Sequence, residues 1–296
     1  MSREALAAAL GQEVVALDRI PGGDLNDAFL AGLADGTPVF VKTASDAAPG
    51  AYVAEAAGLD WLRAAGALPV PEVLAVGAKF IALEWVQGGG APDAAAFGRG
   101  LAEVHRAGAA RAGELPGVDD RGGDAAPFVL GPLTLPNAPR DDWPAFYAQS
   151  RLLPLARQAH DRGAVSADGL RAIEAVADDI DDLAGPPEPI ARLHGDLWSG
   201  NVHGDVDGRP WLIDPAAYGG HREIDLAMLQ LFGDPTRRFF DAYDEVWPRA
   251  DGHADRVALY QLFPLLVHAV LFGGSYGASA HRAAERVRSR HGQDHG

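Results

Sequence analysis

Cysteine is absent from the 296-residue chain. Disulfide frameworks, thiolate metal sites and a cysteine nucleophile are excluded together. Lysine is nearly absent: Lys42 and Lys79 are the only two, and every other cation among the 25 is arginine. Each surviving lysine is therefore informative. Positive charge is short overall, with 41 acidic residues against 25 basic ones and a net charge of −16. Such a surface repels phosphate backbones, so no nucleic-acid partner is expected, whereas cationic small molecules are attracted. Long apolar runs are missing too. The most apolar stretch, Tyr260–Phe272, is interrupted by Gln261, Pro264 and His268, and no membrane span is expected. Met1–Leu10 lacks a basic leader, so no signal peptide is expected. A monomeric cytoplasmic protein is the expectation.

What is there is a globular composition, 48% hydrophobic and 22% charged, with length enough for two lobes. The pattern predicts a helix over 2–10, then strands at 13–20, 27–33 and 38–41, with Asp35-Gly36 as a hairpin turn between the last two. A helix over 51–65 and strands at 73–76 and 80–85 follow. Residues 1–86 thus read as a five-stranded antiparallel sheet with a packed helix. Gln87-Gly88-Gly89-Gly90 reads as a hinge (87–90). Residues 91–296 read as mainly helical, with helices at 93–107, 142–161, 167–184, 223–232, 235–247, 251–272 and 278–290. The Gly- and Pro-rich segment 109–140 has no period and reads as an ordered insertion. Trp211–Ile213 is the clearest strand of a small β element in the helical half.

The chemistry concentrates in Leu193-His194-Gly195-Asp196-Leu197-Trp198-Ser199-Gly200-Asn201-Val202, followed by Leu212-Ile213-Asp214. Phosphoryl transfer needs a carboxylate near the acceptor hydroxyl and hard oxygen ligands for Mg²⁺ on the nucleotide phosphates. Asp196 suits the first role, and Asn201 and Asp214 suit the second. The order, with Asn five residues after Asp and a strand-end Asp beyond, is that of kinase catalytic segments. The N-terminal half supplies a complement. Lys42 ends the apolar strand Val39–Lys42, and Glu55 falls thirteen residues later on a helix, the pairing that holds ATP phosphates in kinases. Gly22 and Gly23 form a turn that can cover phosphates or serve only as a β-turn. Glu84 and Val86 precede the hinge and can offer backbone groups to adenine. Asp225 begins a helix and reads as a structural support accepting hydrogen bonds from the catalytic loop. His221 and Arg222 read equally as surface groups or as parts of the acceptor pocket. His105 reads as a packing residue and Lys79 as a turn residue. No paired histidine spacing supports zinc.

These segments resemble the fructosamine kinase (ketosamine-3-kinase) family of the protein-kinase-like, aminoglycoside-phosphotransferase-like superfamily. The resemblance rests on His194–Val202, on Ile213–Ala216 and on Tyr218–Met228. Leu231-Phe232-Gly233, Gly131-Pro132, Pro136-Asn137 and Arg151–Pro154 extend it, so that it runs from about Gly22 to Ser275. It implies an α+β bilobal protein-kinase-like fold and ATP-dependent phosphorylation of the sugar 3-hydroxyl of ketosamines, which initiates deglycation. By the same resemblance Asp196 is the base, Asn201 and Asp214 hold Mg²⁺, and Lys42 binds phosphate. Trp198 and His221 would border the ketosamine. An amino-alcohol or aminoglycoside acceptor is the alternative, and a nucleotide-binding pseudokinase a more remote one. Two departures stand out. Asp24 and Leu25 occupy the glycine turn where some relatives carry a cysteine, which excludes thiol regulation. The stretch Asp119–Phe128 departs from the family's aromatic-rich pattern. Neither HRD nor APE occurs, which disfavours a protein-hydroxyl kinase.

Overall fold

The computed structural model describes residues 2–21, 26–117 and 126–294. The chain opens with α1 (Arg3–Leu10), capped by the Ser2 hydroxyl accepting from the Ala5 N–H and ended by Gly11 at φ 66°. Five strands follow: β1 (Val14–Ile20), β2 (Asp27–Leu33), β3 (Pro38–Thr43), β4 (Val73–Gly77) and β5 (Phe80–Glu84). They pair antiparallel in the order β1-β2-β3-β5-β4. Asp35 turns the β2–β3 hairpin by accepting from the Thr37 N–H, with Gly36 at φ 88°.

Period-two alternation divides β3 between two faces. Val39 and Val41 face α1 in a small core with Leu6, Val14, Ala31 and Leu33. Phe40 and Lys42 face the other way, the side covered by α2 (Ala51–Arg63). There Leu59, Leu62, Ile81 and Leu83 share a core with Leu101, Leu197, Leu212 and Leu229 of the second half. Each such burial contributes about 1.5–3 kcal/mol, and this apolar core spans both halves.

The helical half comprises α3 (Ala94–Arg106), α4 (Trp143–Tyr147), α5 (Leu153–Asp161), α6 (Ala167–Asp178), α7 (Ile180–Leu183), α8 (Glu223–Phe232), α9 (Arg237–Val246), α10 (His253–Tyr260), α11 (Leu262–Phe272) and α12 (Tyr276–Asp294). Three predicted helices are interrupted. A π-helical turn over Ala148–Leu152 joins α4 to α5. Asp179, at φ −94° and ψ 14°, separates α6 from α7. Pro264 has no N–H for the carbonyl four residues back, and the chain breaks between α10 and α11 just before it. His253–Phe272 is long and apolar enough to cross a membrane by length and composition, and it is mostly buried in the core.

The insertion contains a hairpin of β6 (Phe128–Leu130) and β7 (Leu133–Leu135). Two further pairs frame the catalytic segments: β8 (Ala191–Leu193) with β11 (Tyr218–Gly220), and β9 (Val202–Gly204) with β10 (Pro210–Leu212). The linker glycines are latched rather than free. Gly88 bridges Asp205, and the Gly89 and Gly90 N–H groups donate to Gly204 O and Asp205 O. A Cβ on Gly204 would lie 2.1 Å from Gly90 O, so both backbones must be bare for this approach.

α3 crosses α9 with similar closeness, since a Cβ on Gly98 would meet Phe239 O at 2.2 Å. Gly98→Ala should therefore destabilise the protein by about 1–3 kcal/mol, because overpacking against a backbone exceeds the roughly 1 kcal/mol gain in helix propensity. Calorimetry should show a lower Tm, with activity per folded molecule retained. An unchanged or raised Tm would contradict this packing account.

Candidate active site

β3 and α2 bring Lys42 and Glu55 together inside the first half, as the sequence leads one to expect. Lys42 Nζ lies 2.7 Å from Glu55 Oε1 and donates to Asp214 Oδ1 at 3.1 Å, across 172 residues of chain. Lys42 is buried. Burial alone would push its pKa down, but the carboxylates of Asp214 and Glu55 outweigh it and hold Lys42 above the ordinary lysine range.

The loop between β8 and β9 carries Asp196 and Asn201; the loop between β10 and β11 carries Asp214. Gly195 stands at φ 80°, and a Cβ there would lie 1.9 Å from Ala216 O, so the two loops touch through backbone. His194 is buried and clamps the same pair of loops. Its Nε2–H donates to Ile213 O at 2.9 Å, and its Nδ1 accepts from the Asp196 N–H at 3.3 Å. Burial pushes its pKa down, which keeps the ring neutral for that arrangement. Asp225, fully buried in the first turn of α8, accepts from the His194 N–H at 2.8 Å and the Gly195 N–H at 3.0 Å. His105 Nε2 lies 3.2 Å from the same carboxylate, while its Nδ1 lies 2.8 Å from the Tyr243 hydroxyl. His105 thus orients the carboxylate beneath the loop, a role its helix position alone does not reveal.

Asn201 Nδ2 donates to Asp196 O (2.8 Å), Asp196 Oδ2 (3.2 Å) and Asp214 O (3.4 Å). These bonds leave Oδ1 of the amide as a donor atom for a cation. Asp214 has φ 53°, the one non-glycine residue at positive φ among the described residues. Holding an aspartate there costs on the order of 1–3 kcal/mol, strain of the kind found at ligand clamps. Burial, followed by the charge of Asp214, raises Asp196 to about 7, only partly offset by Asn201 and Lys42. Three carboxylates (Glu55, Asp196, Asp214) therefore surround one ammonium. That excess negative charge and the hard oxygens of Asn201 and Asp214 fit Mg²⁺. No group of three or more His, Cys, Asp or Glu side chains suited to a metal occurs among the described residues.

A cleft of about 1140 Å³ runs past these groups. Trp198 stands on its wall, 41% exposed, and Gly200 is bare because a Cβ there would lie 2.2 Å from the indole. Phe232, His268, Phe272 and Tyr276 form an aromatic cluster in the same lining, with His268 at 4.4 Å centroid distance from Phe232. Sequence reasoning missed this aromatic cluster. The signal was His268, a polar residue breaking an apolar run.

His221 does not line the cleft: it is buried, stacked on Tyr260 at 5.0 Å, and pushed down to about 4 by desolvation. Arg222 is likewise buried, forked onto Glu188 at 2.8 and 2.6 Å, and Arg256 forks onto Glu223 at 3.0 and 2.6 Å. These two pairs secure the start of α8 and hence Asp225. Glu84, at the end of β5, is exposed, and its side chain accepts from the Glu72 N–H at 3.2 Å. Gly22 and Gly23 lie outside the described residues. Their neighbours Pro21 and Asn26 line the cleft, and the Tyr52 hydroxyl donates to Asn26 Oδ1 at 2.9 Å.

The raised Asp196 pKa has a stability consequence. A carboxylate raised on folding supports the folded state at low pH, and that support is lost as pH rises through about 7. Asp196→Asn escapes this loss. In urea titrations with chelator present, the variant should match or exceed the wild type at pH 8, and its relative advantage should grow between about pH 4 and 7. A variant whose stability relative to the wild type stays flat or falls over that window would contradict the assignment.

The chain matches the family model described as fructosamine kinase over residues 2–290. It is 34% identical over 262 residues to a probable ketoamine kinase of Thermus thermophilus, covering 88% of this chain and 90% of that one. A chloroplastic protein-ribulosamine 3-kinase of Arabidopsis thaliana is 34% identical over 255 residues, covering 83% and 74%. A crystal structure of a putative fructosamine-3-kinase from Thermobifida fusca superposes with a TM-score of 0.87 at 43% identity, covering 97% and 98%. The α+β bilobal fold built around Lys42, Asp196 and Asp214 is thus that of its relatives, and the chain belongs to the fructosamine kinase family.

Proposed function

We propose that this protein is an ATP-dependent kinase that phosphorylates the sugar 3-hydroxyl of ketosamines and so initiates deglycation. The observation that carries the reading is the meeting of Lys42, Asp196, Asn201 and Asp214 at one cleft in a chain of this family. Residues 1–86 would form the nucleotide lobe, 87–90 the latched linker, and 91–296 the catalytic and acceptor lobe. Gly22 and Gly23 would cover the phosphates.

In this mechanism Lys42, steadied by Glu55, binds and neutralises phosphate oxygens. Asn201 and Asp214 would hold Mg²⁺, which when bound supplies charge neutralisation on the phosphates. Asp196 orients the acceptor hydroxyl and accepts its proton as the oxygen bonds to the γ-phosphorus. The bond from that phosphorus to the bridging oxygen breaks in line, and ADP leaves. The raised pKa of Asp196 suits it to receive a proton near neutrality. Trp198 packs on the sugar, and the aromatic cluster in the cleft lining favours a protonated amine.

The test is turnover of ATP with a fructose- or ribulose-derived ketosamine, with product read by phosphorus and proton NMR. A phosphate ester on the sugar 3-oxygen is expected, reduced about 10²–10⁴-fold in Asp196→Asn. Silence with ketosamines but product from amino-alcohols would overturn the acceptor assignment. Asn201→Ala and Asp214→Asn should raise the Mg²⁺ concentration needed for half-maximal rate; an unchanged requirement would remove them as metal ligands.

A further inference from the structure

Arg151 is fully buried on the π-helical turn between α4 and α5, far from any role in the mechanism above. Its guanidinium carbon lies 4.3 Å from the Phe128 ring centroid and 4.6 Å from those of Phe146 and Tyr218. No carboxylate pairs with it among the described residues. Its hydrogen bonds run to the insertion and to its own turn: Nη1 donates to Pro136 O (3.3 Å) and Ser150 O (3.0 Å), and Nη2 to Asn137 Oδ1 (2.9 Å). Asn137, itself buried, passes the link on by donating from Nδ2 to Gly113 O at 2.7 Å.

A buried, carboxylate-free arginine is costly to desolvate and is weak evidence for stability as such. Besides Phe146, Ser150 and Tyr218, its contacts fall on the insertion. Gly113, Phe128 and Pro136 are three separated points of the 109–140 insertion, and the Phe128–Pro132 stretch of that insertion lines the cleft. The base of the insertion is held by the Ala112–Arg140 bridge and by Gly113 N–H donating to Gly219 O, while its tip, with β6 and β7 of three residues each, is held through Phe128, Leu133 and Leu135 in the core, and Arg151 packs on the first of these. Phe128 is the direct connection, with Arg151 against its ring and the cleft beside it.

We propose that Arg151 is a positioning residue for the acceptor: through Phe128 and Asn137 it fixes the 128–132 wall of the cleft and thereby sets affinity for the sugar amine, leaving ATP affinity to other elements. This rests on the kinase reading above. Lys42 and Glu55, which would serve the nucleotide, belong to elements that Arg151 does not touch.

The test compares Arg151→Lys, which keeps the charge but not the planar fork, and Arg151→Met, which keeps the volume. KM is measured separately for ATP and for a fructose-derived ketosamine of a simple amine, with Tm recorded alongside. The acceptor KM should rise about tenfold in both variants, the scale of losing a charge-assisted hydrogen bond, while the ATP KM stays within about twofold. Lysine should fail to rescue. Parallel rises in both KM values, or an unchanged acceptor KM, would overturn the proposal. If neither variant folds, Asn137→Ala removes one arm alone and should still raise the acceptor KM selectively; no rise would overturn it. A wild type that ignores ketosamines and uses an amino-alcohol refutes the substrate reading instead, and the same comparison is then made with that acceptor.

Discussion

One ammonium shared by two carboxylates from opposite halves of the chain is the constraint on which the rest of the molecule turns. Lys42 is held by Glu55 from its own lobe and by Asp214 from the other. Each of the three is awkward alone: a buried lysine is disfavoured, a largely desolvated glutamate is disfavoured, and Asp214 sits in left-handed backbone. Together they offset one another's charge, but only if the sheet and the helical half are docked in one relation. The core that spans Leu59, Leu83, Leu197 and Leu212 supplies that docking.

The remaining negative charge is useful rather than neutralised. Asp196 is buried beside Asp214, and burial first and then that neighbouring charge raise its proton affinity further than Asn201 and Lys42 lower it. The loop bearing it cannot relax away, because its backbone N–H groups are bound to the buried Asp225 and its glycine is pressed against Ala216. Asp225 is in turn set by His105 and by an α8 start whose arginine–glutamate forks are buried. The reactive groups are thus stiff before any ligand arrives, the condition under which electrostatic preorganisation lowers a barrier most.

Long amphipathic helices and the first five strands were legible because their periods repeat over several turns or pleats. The short strands Ala191–Leu193, Val202–Gly204 and Tyr218–Gly220 were not, since three residues carry no readable alternation. Breaks within helices at Ala148–Leu152 and Asp179 escaped for a different reason, as apolar spacing continues through them. The surroundings of His221 were not legible, because a histidine beside a motif reads alike whether it faces a ligand or, as here, a tyrosine ring.

By itself the sequence determined the chemistry and its order along the chain. Two lysines in 296 residues isolate Lys42, and the spacing of Asp196, Asn201 and Asp214 is a local pattern that survives without coordinates. Only the tertiary structure decided which distant groups meet: Lys42 with Asp214, His105 with Asp225, Arg151 with the insertion, and Phe232 with His268 in the lining of the cleft. Local order follows from backbone sterics and hydrophobic period, which neighbours in sequence carry. Contacts across a hundred residues follow from how whole elements pack, and no short-range pattern encodes that.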